Sequence, residues 1–189
     1  MRRRMSFAAA AVVVASAVAR AGLAGQTKDQ QSCVNDMNKY GERVVKSQDG
    51  ASHDCVENAG RGILFRLGIP PQAQTAQACL TNDVAGKVAK ATAQLQERDT
   101  SKCLSTPPQL PAFGYSGAAA TGAAARTASL GIVAGLFGPD LDASIVSDDV
   151  DQTGARCQSE VTGSTTDLLE SIWKEALKTK KNVDRKSVV

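Results

Sequence analysis

The spacing of the cysteines constrains this chain more than any other feature. The first four, Cys33, Cys55, Cys79 and Cys103, follow one another at nearly regular intervals, and Cys157 comes much later. No two lie close enough for a CxxC redox motif or a compact zinc site. The sequence has only seven aromatic residues, and only six of them lie beyond residue 25, so the fold needs other constraints. We therefore expect disulfides, formed in an oxidising compartment.

Residues 1–25 have the layout of a signal peptide. Three arginines occupy positions 2–4, an Ala/Val-rich run covers 8–19, and small residues precede a cleavage point after Ala24 or Gly25. The apolar run is shorter than the roughly 18 to 20 residues that cross a bilayer. We therefore expect a cleaved leader rather than a membrane anchor, and a secreted or periplasmic protein.

Removing the leader changes the charge balance of the chain. Its four arginines take the 22 basic side chains down to 18, against 19 acidic ones. Nucleic-acid binding depends on clustered Lys and Arg that neutralise phosphates. The mature chain, residues 26–189, is therefore not expected to bind nucleic acid.

Helical patterns dominate the first half of the mature chain. Thr27 and Gln30 form a capping box, and Cys33, Met37, Tyr40 and Val44 follow on one helix face. The polar run 47–50 is expected to end this helix, with a weak helix after it over 55–67. The clearest pattern predicts one continuous helix over 75–97. Together these segments predict a helical hairpin over 27–103.

The second half begins with a Pro-rich linker over 104–116, followed by two predicted helices. The first covers 117–137. Its length would suit a membrane span, but Arg126 lies near its middle, where a charge is costly in a bilayer, so we expect a buried and tightly packed helix and no stable membrane span. The second covers 148–180 and is expected to turn one apolar stripe inward, formed by Cys157, Val161, Leu168, Ile172 and Trp173. No run of alternating apolar and polar residues suggests a sheet. The predicted fold is a single all-α domain, a disulfide-stabilised bundle of about four to five helices.

Four cysteines allow three disulfide pairings, and the sequence cannot choose among them by itself. Two antiparallel helices would bring the start of one beside the end of the other. This arrangement favours the nested set, Cys33 with Cys103 and Cys55 with Cys79. Cys157 is then left over, either as a free buried thiol or as a link to a second copy in a Cys157-linked dimer.

The candidate chemistry is sparse. His53 is the only histidine and lies in a polar segment, where an exposed histidine without a catalytic role is the expected case. Asp140, Asp142, Ser144, Asp148 and Asp151 match positions 1, 3, 5, 9 and 12 of a calcium loop, although position 6 lacks glycine and position 12 lacks glutamate. Alternatively, these acids occupy a turn and the first turn of a helix. We expect no resident cofactor, with calcium as the alternative.

Several segments resemble a group of uncharacterised, cysteine-rich, exported bacterial proteins. The resemblance is carried by residues 33–45, 75–80, 83–90, 111–115 and 136–143, and covers most of the mature chain. Members of that group carry further cysteines near the positions of Asp148, Ala155 and Leu168. Their absence here leaves Cys157 without an obvious partner. The resemblance implies export, helices and cross-links, and it implies no activity.

These observations favour a non-enzymatic extracellular or periplasmic module that binds a partner protein or the cell surface, or that has a structural role. No catalytic constellation is apparent. The alternative is a secreted hydrolase that uses carboxylates such as Asp140, Asp142 and Asp149, because paired acids can catalyse hydrolysis without histidine.

Overall fold

A computed structural model describes residues 26–64, 75–111 and 114–187, with side chains up to position 180. The predicted signal peptide lies outside the described residues. Within them all regular structure is helical, which confirms the all-α bundle. The helices are α1 Lys28–Gly60, α2 Ala76–Asn82, α3 Lys87–Arg98, α4 Gly117–Phe137, α5 Leu141–Ser144 and α6 Asp148–Ser187.

Helix α1 begins where the sequence predicts and ends later. The Thr27 hydroxyl accepts a hydrogen bond from the Gln30 amide, and the Gln30 side chain accepts one from the Thr27 amide. The predicted end at 47–50 is wrong, because the helix continues to Gly60. Gln48 and Asp49 are buried between neighbouring helices, and the Gln48 side chain donates to the Leu80 carbonyl. Tertiary packing therefore stabilises the helical conformation of this polar run.

The continuous helix predicted over 75–97 is also wrong, because the chain breaks between α2 and α3. Asp83 and Gly86 both adopt left-handed backbone conformations, with φ of 47° and 65°. The Asp83 carboxylate accepts hydrogen bonds from the Val88 and Ala89 amides, at 3.1 and 2.7 Å. It thereby satisfies donors of the first turn of α3 that a helix start leaves unpaired.

Helix α1 lies at the centre of the bundle. Arg43 on α1 contacts Gln94 on α3, and Asp54 pairs with Lys87, so α3 runs antiparallel to α1. A Cβ added at Gly41 would lie 3.2 Å from Thr121 of α4. Asp49 of α1 lies beside Ser129 of α4, so α4 runs parallel to α1. Gly60 lies beside Ala155 of α6 and Lys46 pairs with Glu170, so α6 runs antiparallel to α1.

Two disulfides tie the bundle together in the nested arrangement. Cys33 pairs with Cys103, which follows α3 in a short π-helical turn, and Cys55 pairs with Cys79 of α2. Each link lies in one of two apolar clusters. The first cluster includes Met37, Tyr40, Val44 and Leu95, and the second includes Val56, Leu80, Val133 and Leu141.

Helix α4 has the predicted bounds but not the predicted burial. Its buried residues are Ala118, Gly122, Ser129 and Val133, and much of its outer surface is Ala and Gly. In the described part of the chain, the stretch Gly117–Ser144 is long and apolar enough to cross a membrane, and 17% of its most apolar window is buried. Arg126, near the middle of α4, donates to the Thr81 carbonyl. Small side chains let α4 pack through few residues, which leaves ten of its 21 residues exposed.

Candidate binding surfaces

Helix α6 packs on α1 through a small and polar face. A Cβ at Gly60 would lie 3.5 Å from the Ala155 Cβ, and one at Gly163 would lie 3.3 Å from His53 Nε2. Further along, Lys46 of α1 pairs with Glu170 at 3.5 Å. The pairs Gly60/Ala155 and Lys46/Glu170 define one antiparallel register. His53 is therefore a helix residue against α6 and not part of a polar loop.

The inward stripe predicted for α6 is largely wrong, because four of its five residues face solvent. Leu168 is 60% exposed, Ile172 58% and Val161 41%, and Cys157 is exposed as well. The intervals between them, 4, 7 and 4, place them on one helix face. We call this set, Cys157, Val161, Leu168 and Ile172, the outer stripe. Trp173 alone of the predicted set is partly buried, on another side of the helix.

Cys157 is a free thiol in the structure. The sequence left two alternatives open, a free buried thiol or a link to a second copy, and the exposure of Cys157 contradicts the buried placement. Ala155 and Ser159 face α1. Cys157 is two positions from each of them, and residues two positions apart point to nearly opposite sides of a helix, so Cys157 faces solvent.

A polar cleft of about 680 Å³ lies between the end of α1 and the start of α6. Glu57 of α1 and Arg61, which directly follows α1, form an ion pair of 2.7 Å at its edge, and Arg156 and Glu160 of α6 form another of 2.9 Å. Asp148 also lines this cleft. Each arginine already has a carboxylate partner, and Asp148 adds one further acid, so the cleft walls carry three acidic side chains against two basic ones.

The acids predicted to bind calcium are spread over helix starts. Asp140 Oδ1 accepts from the Asp142 and Ala143 amides and caps α5, while Asp142 Oδ1 accepts from the Gln77 amide at 2.9 Å. Asp151 Oδ1 accepts from the Gly154 amide at 3.0 Å, at a kink in α6. Among the described residues, no group of three or more acidic, His or Cys side chains converges to hold a metal. The alternative interpretation, acids at turns and helix starts, describes their placement.

A buried polar cluster that no sequence pattern predicted lies between α1, α4 and α6. Asp49 of α1 is 4% exposed and Ser129 of α4 is 1% exposed. Asp49 Oδ2 and Ser129 Oγ both lack a hydrogen-bond partner of normal geometry. Burial raises the pKa of the Asp49 carboxyl above its ordinary value, the nearby Ser129 hydroxyl lowers that pKa in part, and the charge of Glu170 raises it. Polar positions within a helix carry no local signal of such burial.

A second buried acid connects α3 to α4. Asp99 Oδ1 accepts a hydrogen bond of 2.7 Å from the Tyr115 hydroxyl, and its Oδ2 accepts one of 2.8 Å from the Ala118 amide. Burial and the neighbouring Asp99 carboxylate raise the pKa of Tyr115 to about 12. Asp99 thus caps the start of α4 although the Pro-rich linker separates the two in sequence. No local motif could therefore reveal this contact.

The fold and these surfaces define a disulfide-linked, all-α bundle with an outward-facing apolar stripe. No family model, no curated protein and no solved structure matches the chain. The two intramolecular disulfides are compatible with an oxidising environment.

Proposed function

We propose that this chain is an exported, non-enzymatic binding module whose outer stripe on α6 binds a protein or cell-surface partner. The outer stripe of α6 is the observation that carries this proposal. Monomeric soluble proteins seldom expose contiguous apolar patches of large size, and such patches are typical of interaction sites. Leu168 and Ile172 are both more than half exposed, one turn apart on the same helix.

Export is part of the proposal and has two supports. The layout of residues 1–25 is that of a signal peptide. Disulfides persist in oxidising compartments and are rare in the cytosol. The resemblance to exported, cysteine-rich bacterial proteins agrees with both supports, and we propose a bacterial secreted or periplasmic location.

The hydrolase alternative receives less support from the geometry. Its mechanism needs two carboxyl groups that face one substrate, in most cases with one pKa raised. Asp140 and Asp142 instead accept hydrogen bonds from backbone amides. Asp49, whose pKa is raised, is not among the residues that line the 680 Å³ cleft. The backbone partners of Asp140 and Asp142 therefore support the binding proposal over the hydrolase alternative.

Site-specific photo-crosslinking in the native host tests the proposal. A photoreactive amino acid replaces Leu168 in the outer stripe, and in a matched chain it replaces Ala93, an exposed residue of α3. The probe at position 168 should give discrete crosslinked species, because a partner covers the stripe, and the probe at position 93 should not. Equal labelling from both positions, or none from either, would contradict the proposal.

A further inference from the structure

Helix α6 is held to the bundle by few buried contacts. Of its residues with described side chains, 148–180, only Thr162 is buried, and neither of the two apolar clusters contains a residue of α6. Neither disulfide reaches the helix, since both bonds join α1 to residues no later than Cys103. The helix can therefore leave α1 and α4 while both disulfides and both apolar clusters stay in place.

The bonds that join α6 to α1 are polar. Leu169, Trp173 and Leu177 on the inward side of α6 are only partly buried. Three polar contacts are described between the two helices: Ser159 with His53, Glu170 with Lys46, and Lys180 with Asn35. Such contacts contribute little because water replaces them readily. Weakly held elements of this kind open at lower free energy than the core does.

Asp49 lies beneath α6, between the contacts that Lys46 and His53 make with that helix. It is 4% exposed, and its Oδ2 has no hydrogen-bond partner of normal geometry. An ionised carboxylate is costly to bury without a partner, whereas a protonated one costs far less. The packing of α6 over Asp49 therefore favours the protonated carboxyl.

The two other helices that face Asp49 offer it no cation in the described part of the chain. From α4 it meets the Ser129 hydroxyl, while Arg126, the one charged residue of that helix, donates to the Thr81 carbonyl. From α6 it meets the negative charge of Glu170. Ionisation of Asp49 therefore sets one carboxylate against another across the α1–α6 contact.

Two titratable side chains flank Asp49 on its own helix, Lys46 one turn before it and His53 one turn after it. Lys46 pairs with Glu42 at 2.9 Å and with Glu170 at 3.5 Å, so two acids already share its charge. His53 is the one flanking group whose ordinary pKa lies near neutrality, so its contribution needs a separate control.

Glu170 responds to pH in a lower range. A hydrogen bond from Lys174 and the charge of Lys46 lower the pKa of Glu170, although its partial burial opposes them. The stability from this lowered pKa is present above the unfolded value and lost as pH falls through the folded one. Glu170 is therefore mostly ionised above about pH 4.5. Its ion pair with Lys46 favours the docked helix throughout that range.

We propose that α6 is a pH-controlled arm, which docks on α1 and α4 while Asp49 is protonated and detaches at its far end when Asp49 ionises. Gln158 bonds to the Ser144 carbonyl and the Val146 amide and holds the start of α6, so the end that carries Trp173 moves most. The arm does not depend on which partner covers the outer stripe.

The direction of the response follows from Asp49. Burial and the charge of Glu170 raise its pKa in the docked state, so docking takes up a proton. The stability that this proton gives to docking is complete below the ordinary pKa of about 3.9 and is lost as pH rises through the raised value. The arm is therefore docked in acid and loosens toward neutral and alkaline pH.

Trp173 reports on docking because it is the one tryptophan of the chain. It lines a cleft of about 380 Å³ with Met37 and Gly41 of α1 and Ala124 of α4, and its Nε1 is buried. Acrylamide quenching of its fluorescence should rise about twofold or more between pH 4.5 and pH 8, in the purified chain with its disulfides intact. Far-ultraviolet circular dichroism should show that the chain stays folded throughout.

Three variants assign the response to one residue. Asp49→Asn cannot ionise, so its quenching should stay low at every pH. Asp54→Asn, which alters an exposed acid on the same helix, and His53→Gln should both keep the wild-type titration. The proposal is overturned if quenching of the wild type does not rise with pH, if Asp49→Asn titrates like wild type, or if His53→Gln loses the titration.

Hydrogen exchange read by mass spectrometry separates detachment of the arm from unfolding of the bundle. Protection factors, corrected for the intrinsic effect of pH, should fall in peptides from 166–180 as pH rises, because an isolated helix is only marginally stable. Peptides from α3 should keep their protection. An equal loss in both regions, or none in 166–180, overturns the proposal.

Discussion

Replacing Asp49 with Asn should stabilise the fold at neutral pH. The Asp49 carboxylate is buried beside Ser129, its Oδ2 has no hydrogen-bond partner, and the charge of Glu170 lies close enough to raise its pKa. A buried polar atom without a partner costs about 1 to 3 kcal/mol, and more when it is charged. The amide keeps the shape of the side chain and removes the charge. Because part of that cost is then relieved, we expect a gain of about 1 to 2 kcal/mol at neutral pH.

The gain should depend on pH in a defined direction. Because folding raises the pKa of Asp49, the folded state holds this proton more tightly than the unfolded state. The stability that Asp49 contributes is complete below its unfolded pKa of about 3.9, and it is lost as pH rises through the raised folded value. The difference between Asp49→Asn and wild type should thus be smallest near pH 3 and grow toward neutrality.

Urea unfolding at a series of pH values, followed by circular dichroism, measures this difference. Asp54→Asn is the matched control, because Asp54 is an exposed carboxylate on the same helix, paired with Lys87. Loss of that surface pair should change stability by less than about 1 kcal/mol, in the destabilising direction. An Asp49→Asn chain that is less stable than wild type at pH 7, or a difference that does not vary with pH, would refute the reasoning.

Three further perturbations test other parts of the fold. Replacing Cys55 and Cys79 by Ala should cost about 3 kcal/mol in urea unfolding, and replacing Cys33 and Cys103 about 4, since the links close loops of 24 and 70 residues; a loss below about 1 kcal/mol for either would contradict the loop argument. Tyr115→Phe should destabilise by about 1 kcal/mol or more through its lost hydrogen bond to a carboxylate. It should also remove a phenol that titrates near pH 12 by ultraviolet absorbance, whereas an unchanged titration would refute that assignment. The stability tied to that phenol is present below the unfolded pKa of about 10 and lost as pH rises through about 12. Millimolar calcium should leave the melting temperature unchanged, because the acidic loop uses its oxygens as caps, and a rise of several degrees would contradict this placement.

Parts of the candidate surface could be anticipated and parts could not. The residues of the outer stripe were recognisable as one face of α6 from their spacing alone, but the same pattern predicted that this face turns inward. Hydrophobic periodicity shows which residues share a face, and it does not show which face a neighbour covers. The buried Asp49 and Asp99 escaped detection because the residues next to them, Ser129 and Ala118, lie on another helix and far along the chain.

The sequence by itself determined the features that depend on neighbouring residues. The capping box at Thr27 and the helical class follow from contacts three or four positions apart, which a linear pattern records, and the end of α4 precedes Gly138 and Pro139, which do not continue a helix. The nested disulfides needed only one added assumption, that the two helices run antiparallel.

Tertiary structure alone decided the continuation of α1 through its polar run and the face that α6 buries. In α1, buried contacts such as the Gln48 bond to the Leu80 carbonyl support residues that would end an isolated helix. In α6, the side facing α1 meets Gly60, His53 and Lys46, which accommodate small and polar partners better than leucine and isoleucine. The shape and charge of the neighbouring helix α1 therefore decided which face of α6 is buried, and the apolar face stayed exposed.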